Sequence, residues 1–260
     1  MSVTIQYLSD LHLESNRYLS DLEEIIEKIV PLAKICVLAG DIGWPFQPSY
    51  AFFLEAMSIR FDHVILIHGN HEYYEPGHSI QEVIDQTNSV CNSFLKKNVY
   101  FLQNDTKEIF VKTVDRSILF IGTTLWSELF DGNALNNDKD QISEFSIGYF
   151  NHLHRTSRKF IERALACSSH HNNIIVTHHL PSYSLIDPKY RKDPTSQCFA
   201  SHLEPIFNRY QKQIRCWFYG HTHTPKKEKI RSVKVCCNPI GYPKENTYLD
   251  YTATETIILQ

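Results

Sequence analysis

Five short apolar runs in this chain each end at side chains that hold metals or move protons: Asp10 and His12; Asp41; Asn70 and His71; His178 and His179; His221 and His223. The chain carries 14 histidines, and imidazole is both a common metal ligand and the side chain that exchanges protons near neutral pH. A set mixing imidazole, carboxylate and amide is too rich in nitrogen for calcium and lacks the thiolates of structural zinc, so it suits Mn, Fe, Zn or Ni. Asp10, His12, Asp41, Asn70, His178, His221 and His223 together exceed the needs of one tetrahedral ion. Two ions about 3.5 to 4 Å apart form the recurring clamp for hydrolysis of phosphate esters. The chemistry to expect is metal-assisted hydrolysis.

The elements between these clusters must bring them together. Residues 3–8 alternate apolar and polar side chains and read as a first strand. The capping box Ser20-x-x-Glu23 predicts a helix whose apolar face is Leu22, Ile25, Ile26, Ile29 and Val30, stopped by Pro31. Residues 35–39 and 64–67 are continuous apolar runs, as in strands covered on both faces. Helices are predicted over 49–60 and 79–95, with a strand over 99–102. This alternation of strand and helix is the rhythm of a parallel α/β sheet. Runs 107–114 and 117–125, joined by Asp115-Arg116, predict a β-hairpin and a second sheet. A polar surface loop over 131–141, a helix over 151–166, a buried strand over 174–177, a helix over 202–211 and strands over 216–219, 229–237 and 252–259 complete the prediction. Neither repeat nor linker interrupts the chain, which predicts one domain over 1–260.

In α/β sheets ligands bind just beyond the carboxyl ends of the strands, so the five clusters are predicted to converge on one crevice. Asp10 and His12, like His221 and His223, stand two apart, which in extended chain turns both side chains to the same side. Gly40, Gly69 and Gly220 are expected to permit tight exits and close backbone approach.

The 42% apolar content over 260 residues is enough for a sizeable core. Lys+Arg 26 against Asp+Glu 29 gives a net charge of -3, without the basic field of a dedicated nucleic-acid binder. No basic segment followed by an apolar one opens the chain, and no run of about 18 apolar residues occurs, so neither a signal peptide nor a membrane span is expected. The seven cysteines are odd in number and irregularly placed, the pattern of reduced core thiols in a cytoplasmic protein.

The blocks Ser9-Asp10-Leu11-His12, Gly40-Asp41, Gly69-Asn70-His71-Glu72, Thr177-His178-His179 and Gly220-His221-Thr222-His223 resemble those of the calcineurin-like metallophosphoesterase superfamily, D-x-H, G-D, G-N-H-[E/D], a lone H and G-H-x-H. The resemblance spans positions 10 to 223. It implies a four-layer α/β/β/α sandwich with two central mixed β-sheets. It also implies that Asp10, His12 and His223 hold one metal, that Asn70, the lone histidine and His221 hold the other, and that Asp41 bridges them. The implied cofactors are two divalent transition metal ions, Mn favoured. The implied substrate is a small-molecule phosphate mono- or diester, attacked by a hydroxide between the metals, with His71 as the general acid on the leaving group. Of the adjacent pair, His178 directly follows the strand and is taken as the ligand. His179 is then expected to contact substrate or to orient a ligand. Asn70, His71 and Tyr73 are the other expected substrate contacts, and Glu72 is expected to orient His71.

Two branches fit less well. The G-D-x-V-D-R-G of the protein Ser/Thr phosphatases is replaced by Gly40-Asp41-Ile42-Gly43-Trp44-Pro45, and Trp44 stands where purple acid phosphatases carry a tyrosine. A non-catalytic scaffold on this fold and a DNA or RNA nuclease of the same superfamily are the alternatives; intact ligand blocks weigh against the first and the acidic balance against the second. Of the remaining histidines, His63 and His68 read as structural, and His78, His152, His154, His170, His171 and His202 as surface or helix-end residues, with His152 or His154 the first to look for in the cleft.

Overall fold

Alternation along the strands sorts the chain into layers. The computed structural model describes residues 2–15, 19–130, 137–143, 145–169, 172–242, 245 and 252–259. In chain order the elements are β1 (Val3–Leu8), α1 (Leu19–Lys28), β2 (Ile35–Ala39), α2 (Pro48–Arg60), β3 (His63–Ile67), α3 (Ile80–Ser93), β4 (Val99–Phe101), β5 (Asp105–Val111), β6 (Arg116–Thr123), α4 (Asp138–Gln141), α5 (Ile147–Cys167), β7 (Asn173–Thr177), α6 (Glu204–Tyr210), β8 (Ile214–Phe218), β9 (Lys226–Ile230), β10 (Val233–Cys237) and β11 (Thr256–Leu259). They build a sheet of order β11-β1-β2-β3-β4 and another of order β5-β6-β7-β8-β10-β9. Strands β1 to β4 are mutually parallel with β11 antiparallel at the edge, and β6, β7, β8 and β10 are parallel between antiparallel β5 and β9.

Successive side chains point to opposite faces of a strand, and each face finds its own core. Tyr7, Val37, Ile65 and Ile67 from the first sheet meet Phe120, Ile174, Val176 and Phe218 from the second, which packs the sheets together. Leu8, Cys36, Leu38, Val64 and Leu66 turn outward onto α1, α2 and α3, through Ile25, Phe53, Met57 and Val90. On the far side Ile121, Ile175 and Trp217 receive α5 and α6 through Ile161, Leu165 and Phe207. Helix, sheet, sheet and helix are therefore the four layers expected, and both sheets are mixed. No helix among the described residues is long and apolar enough to cross a membrane.

Local predictions fail where only distant neighbours decide. Helix α1 already includes Leu19, so Ser20 lies inside the first turn and is not its cap. At α3, Ser79 does form a capping box with Glu82. The run over 229–237 is part of two antiparallel strands, β9 and β10, because the chain reverses at Arg231, whose φ of 58° is left-handed. The polar stretch over 131–141 contains the short α4, and its residues 131–136 lie outside the described ones, as do His170 and His171. Helix α5 starts at Ile147, capped by the Ser146 side chain, earlier than its apolar spacing indicated. Strand β11 takes up only the end of the 252–259 run. All seven cysteines are free thiols, buried except Cys167, and Cys236 and Cys237 lie in β10.

Candidate metal centre

Each ligand cluster lies at the carboxyl end of a strand: Asp10 and His12 after β1, Asp41 after β2, Asn70 and His71 after β3, His178 after β7, His221 and His223 after β8. The first three belong to one sheet and the last two to the other, so the crevice lies where the carboxyl edges of both sheets meet. The shared facing of Asp10 with His12 and of His221 with His223 does not come from extended chain. Asp10, His12, Asp41, His221 and His223 have φ of 53°, 49°, 54°, 74° and 44°. Left-handed backbone costs non-glycine residues of order 1 kcal/mol or more and gathers at functional sites.

The donors form three overlapping groups: Asp10, His12 and His223; His12, Asp41 and His71; Asp41, His178 and His221, with the ligand atoms of each within 4.8 Å of one another. His12 Nε2 is 3.0 Å from His223 Nε2 and 3.8 Å from Asp41 Oδ2. Asp41 Oδ2 is in turn 3.2 Å from His178 Nε2. Asp41 thus stands between the two sets of imidazoles. Asp10 Oδ2, Asn70 Oδ1 and His178 Nε2 are buried without a hydrogen-bond partner. Buried lone pairs of this kind are costly, and a divalent cation satisfies them. The donor set therefore fits metal ions.

The far side of each ligand is tied down, which orients the imidazoles. His178 Nδ1 donates to the Ala39 carbonyl at 2.9 Å, His12 Nδ1 to Glu14 at 2.9 Å and His223 Nδ1 to Glu245 at 2.5 Å. Asn70 gives its amide protons to Tyr74 Oη at 2.9 Å and Asp138 at 2.8 Å, which leaves its oxygen as the ligand atom. His71 is held at both ring nitrogens, Nδ1 by Glu14 at 3.3 Å and Nε2 by the Tyr242 hydroxyl at 3.2 Å. Glu14, Asp138, Tyr242 and Glu245 were not anticipated from sequence. Glu14 continues the D-x-H spacing by two residues, a signal that was available; Asp138 sits in a stretch read as loop and had none.

Two expectations change and a third is narrowed to one of its alternatives. Glu72 does not orient His71: its carboxylate accepts the backbone N–H groups of Gly69, Ile42 and Asp41 at 2.7, 2.8 and 3.2 Å, pinning the turns after β2 and β3 together. Tyr73 is 2% exposed, bonded to His68 and packed on Trp126, and of the adjacent pair it is Tyr74 that lines the cleft. His179 is wholly buried, bonded to the Thr124 carbonyl at 3.3 Å and lying against the His221 ring, so it supports a ligand and does not face substrate. Among the other histidines, His154 is a core residue bonded to Leu125, not a surface one, and His152 is exposed away from the cleft lining.

Burial alone would lower the pKa of His178 and His71, but the Asp41 carboxylate outweighs it and pushes them up to about 10 and about 9, with Glu14 adding to the second, so a cation binding His178 Nε2 must displace its proton. Burial would raise Asp41, and these same imidazoles hold it below the usual carboxylate range. His221 and His179, buried beside His178, are pushed down and stay neutral, the form that binds metals.

Two glycines make room for this. A Cβ at Gly69 would lie 2.1 Å from Asp41 Oδ1 and 2.7 Å from His178 Nε2, and one at Gly220 2.8 Å from Asp10 Oδ2. Gly69→Ala is expected to fold but to displace Asp41 and His178, with bound metal falling on elemental analysis and activity dropping about 100-fold, as for a misplacement near 1 Å. Full metal content would refute the packing argument. Glu72→Ala strands three buried N–H donors, an expected loss of about 3 kcal/mol. At about 2–4 °C per kcal/mol for a chain of this size, the thermal midpoint should drop about 6–12 °C. A midpoint unchanged by calorimetry would show that the carboxylate is not what joins these turns.

Two mixed sheets between helices, with overlapping histidine and aspartate clusters at their joined carboxyl edges, define a metal-dependent hydrolase of the α/β/β/α class. Residues 3–225 match the family model described as calcineurin-like phosphoesterase, and the chain belongs to that family. It is a hydrolase acting on phosphate esters, and its family implies divalent metal ions, for which the His and Asp groups above are candidates. Protein L509 of Acanthamoeba polyphaga mimivirus is 29% identical over 273 residues, covering 93% of this chain and 92% of its own. The fold is similar to that of the phosphopantetheinyl hydrolase PptH from Mycobacterium tuberculosis, with a TM-score of 0.73, 18% identity and coverage of 98% of this chain and 96% of that one. It also resembles a dimetal phosphatase from Danio rerio, with a TM-score of 0.56, 12% identity and coverage of 95% and 90%.

Proposed function

We propose that the chain hydrolyses a small organic phosphate mono- or diester with two divalent transition metals, manganese favoured. Asp10, His12 and His223 would hold one ion, Asn70, His178 and His221 the other, and Asp41 both. The observation that carries this reading is the position of Asp41 Oδ2 between His12 Nε2 and His178 Nε2. Bound there, the cations would polarise the phosphoryl group and acidify water to near neutrality.

His71 supplies the proton for the leaving-group oxygen. Its Nδ1 is engaged by Glu14, its backbone N–H is fixed on Asp41 Oδ1 at 2.9 Å, and Nε2, 3.2 Å from the cleft-lining Tyr242 hydroxyl, is the nitrogen on the cleft side. Paired carboxylates favour the protonated ring, the state a general acid needs. The cleft has a volume of about 470 Å³, and Tyr74, Ile186, Tyr190, Phe199 and Tyr242 give it an apolar and aromatic wall for the organic part of the ester. The likeness to a phosphopantetheinyl hydrolase supports including a phosphopantetheine diester among the substrates tried.

The test is turnover of mononucleotides, cyclic nucleotides, dinucleotides, phosphopeptides, the phosphopantetheine diester and bis-p-nitrophenyl phosphate with Mn²⁺ supplied, alongside elemental analysis. Two ions per chain and turnover that EDTA abolishes are expected. Protein that binds no metal and hydrolyses nothing would instead be the scaffold.

A further inference from the structure

Strand β10 runs parallel to β8, so its carboxyl end opens on the same edge as His221 and His223. The backbone beyond Cys237 is anchored to the segment that leaves β1. Asn238 donates to the Tyr7 carbonyl at 3.0 Å, Ile240 N–H to the Ser9 carbonyl at 3.1 Å and Gly241 N–H to the Asp10 carbonyl at 2.9 Å. Glu245 closes the turn, accepting the Tyr242 N–H at 3.0 Å while it holds His223. Tyr242 is thereby set beside Asp10. Its ring stacks on His12 with centroids 4.2 Å apart and meets His223 edge-on at 5.0 Å. Its hydroxyl lies 3.2 Å from His71 Nε2, and the residue lines the cleft.

We propose that Tyr242 is a further catalytic residue whose hydroxyl donates a hydrogen bond to an oxygen of the phosphoryl group or its leaving group. The proposal rests on the phosphoesterase reading. With the proton on His71 Nε2 the Tyr242 oxygen accepts it, and the hydroxyl's own proton is left for a third group; an ester oxygen that takes the Nε2 proton replaces this contact and finds the hydroxyl beside it. An oxygen that comes within reach of His71 Nε2 must enter the space this hydroxyl borders. Held by the backbone contacts to Ser9 and Asp10, the hydroxyl meets that oxygen without first being ordered, which is how a fixed donor favours the transition state.

Tyr242→Phe keeps the ring on His12 and removes only the donor. In Mn²⁺-loaded protein its metal content should equal wild type, which also reports an intact site. Its Kd for inorganic phosphate by calorimetry should rise about tenfold or more, the worth of a hydrogen bond to a charged group. Its kcat should fall by a similar factor, more on alkyl than on nitrophenyl esters. Phosphate affinity and kcat within twofold of wild type at full metal content would overturn the assignment while leaving the phosphoesterase reading intact. The expected loss of phosphate affinity, with no turnover by either protein, would uphold the contact and overturn that reading instead.

Discussion

Asp41→Asn protein is expected to come through purification in the presence of Mn²⁺ with substoichiometric metal, and to hydrolyse bis-p-nitrophenyl phosphate at less than about 1% of the wild-type rate, since loss of a mere supporting group already weakens metal binding about 10- to 100-fold. The reason is position. Asp41 Oδ2 faces His178 and His12, Oδ1 accepts the His71 N–H, and the residue is 1% exposed. A single neutralisation therefore removes negative charge from both sets of donors at once, in a buried setting where screening is weak. The fold should survive, because Asn retains an oxygen for the His71 N–H and the Glu72 carboxylate still joins the turns. Elemental analysis with a melting curve separates the two effects. Two ions retained per chain and activity within tenfold of wild type would exclude Asp41 as a bridge.

The second large effect concerns the leaving group. His71→Ala should retain both ions and lose about 10²- to 10⁴-fold in kcat on alkyl phosphate esters, the usual contribution of a positioned general acid. On p-nitrophenyl esters, whose leaving group departs without a proton, the loss should be under about tenfold by the same argument. The comparison is needed because His71 also falls within one of the three donor groups, with His12 and Asp41. Were it a metal ligand, removing it would lower metal content and slow both ester types equally. That outcome would sink the general-acid assignment.

Much of this protein is legible locally. The alternating β1, the continuous apolar runs of β2, β3 and β7 and the Leu22, Ile25 and Ile26 face of α1 arise from residue type at fixed spacing, because a strand or helix turns its side chains by a fixed angle; Val30, assigned to that face, lies beyond the helix and is exposed. The same logic reached the ends of β1, β2, β3, β7 and β8. It did not reach β10, since the reversal at Arg231 that makes β10 parallel to β8 is invisible in an unbroken polar-apolar run. Tyr242 and Glu245 were missed for that reason. Had the direction of β10 been known, the rule that located the other clusters would have located these.

The order and chemistry of the ligand blocks belong to the sequence alone: carboxylate, amide and imidazole donors spaced after apolar runs admit few uses besides a metal site. Which atoms meet was decided by tertiary structure. His12 and His223 are 211 residues apart and touch at 3.0 Å. Of the adjacent pair, His178 turns its Nε2 to Asp41 while His179 turns into the core. The choice is made by bonds no local pattern encodes: His178 accepts the Gly220 N–H through its carbonyl and spends Nδ1 on Ala39 across the junction of the sheets. Side-chain direction in a turn depends on its backbone dihedrals, and here neighbouring strands set them, holding five of the proposed metal ligands in left-handed conformations that cost each of them of order 1 kcal/mol or more.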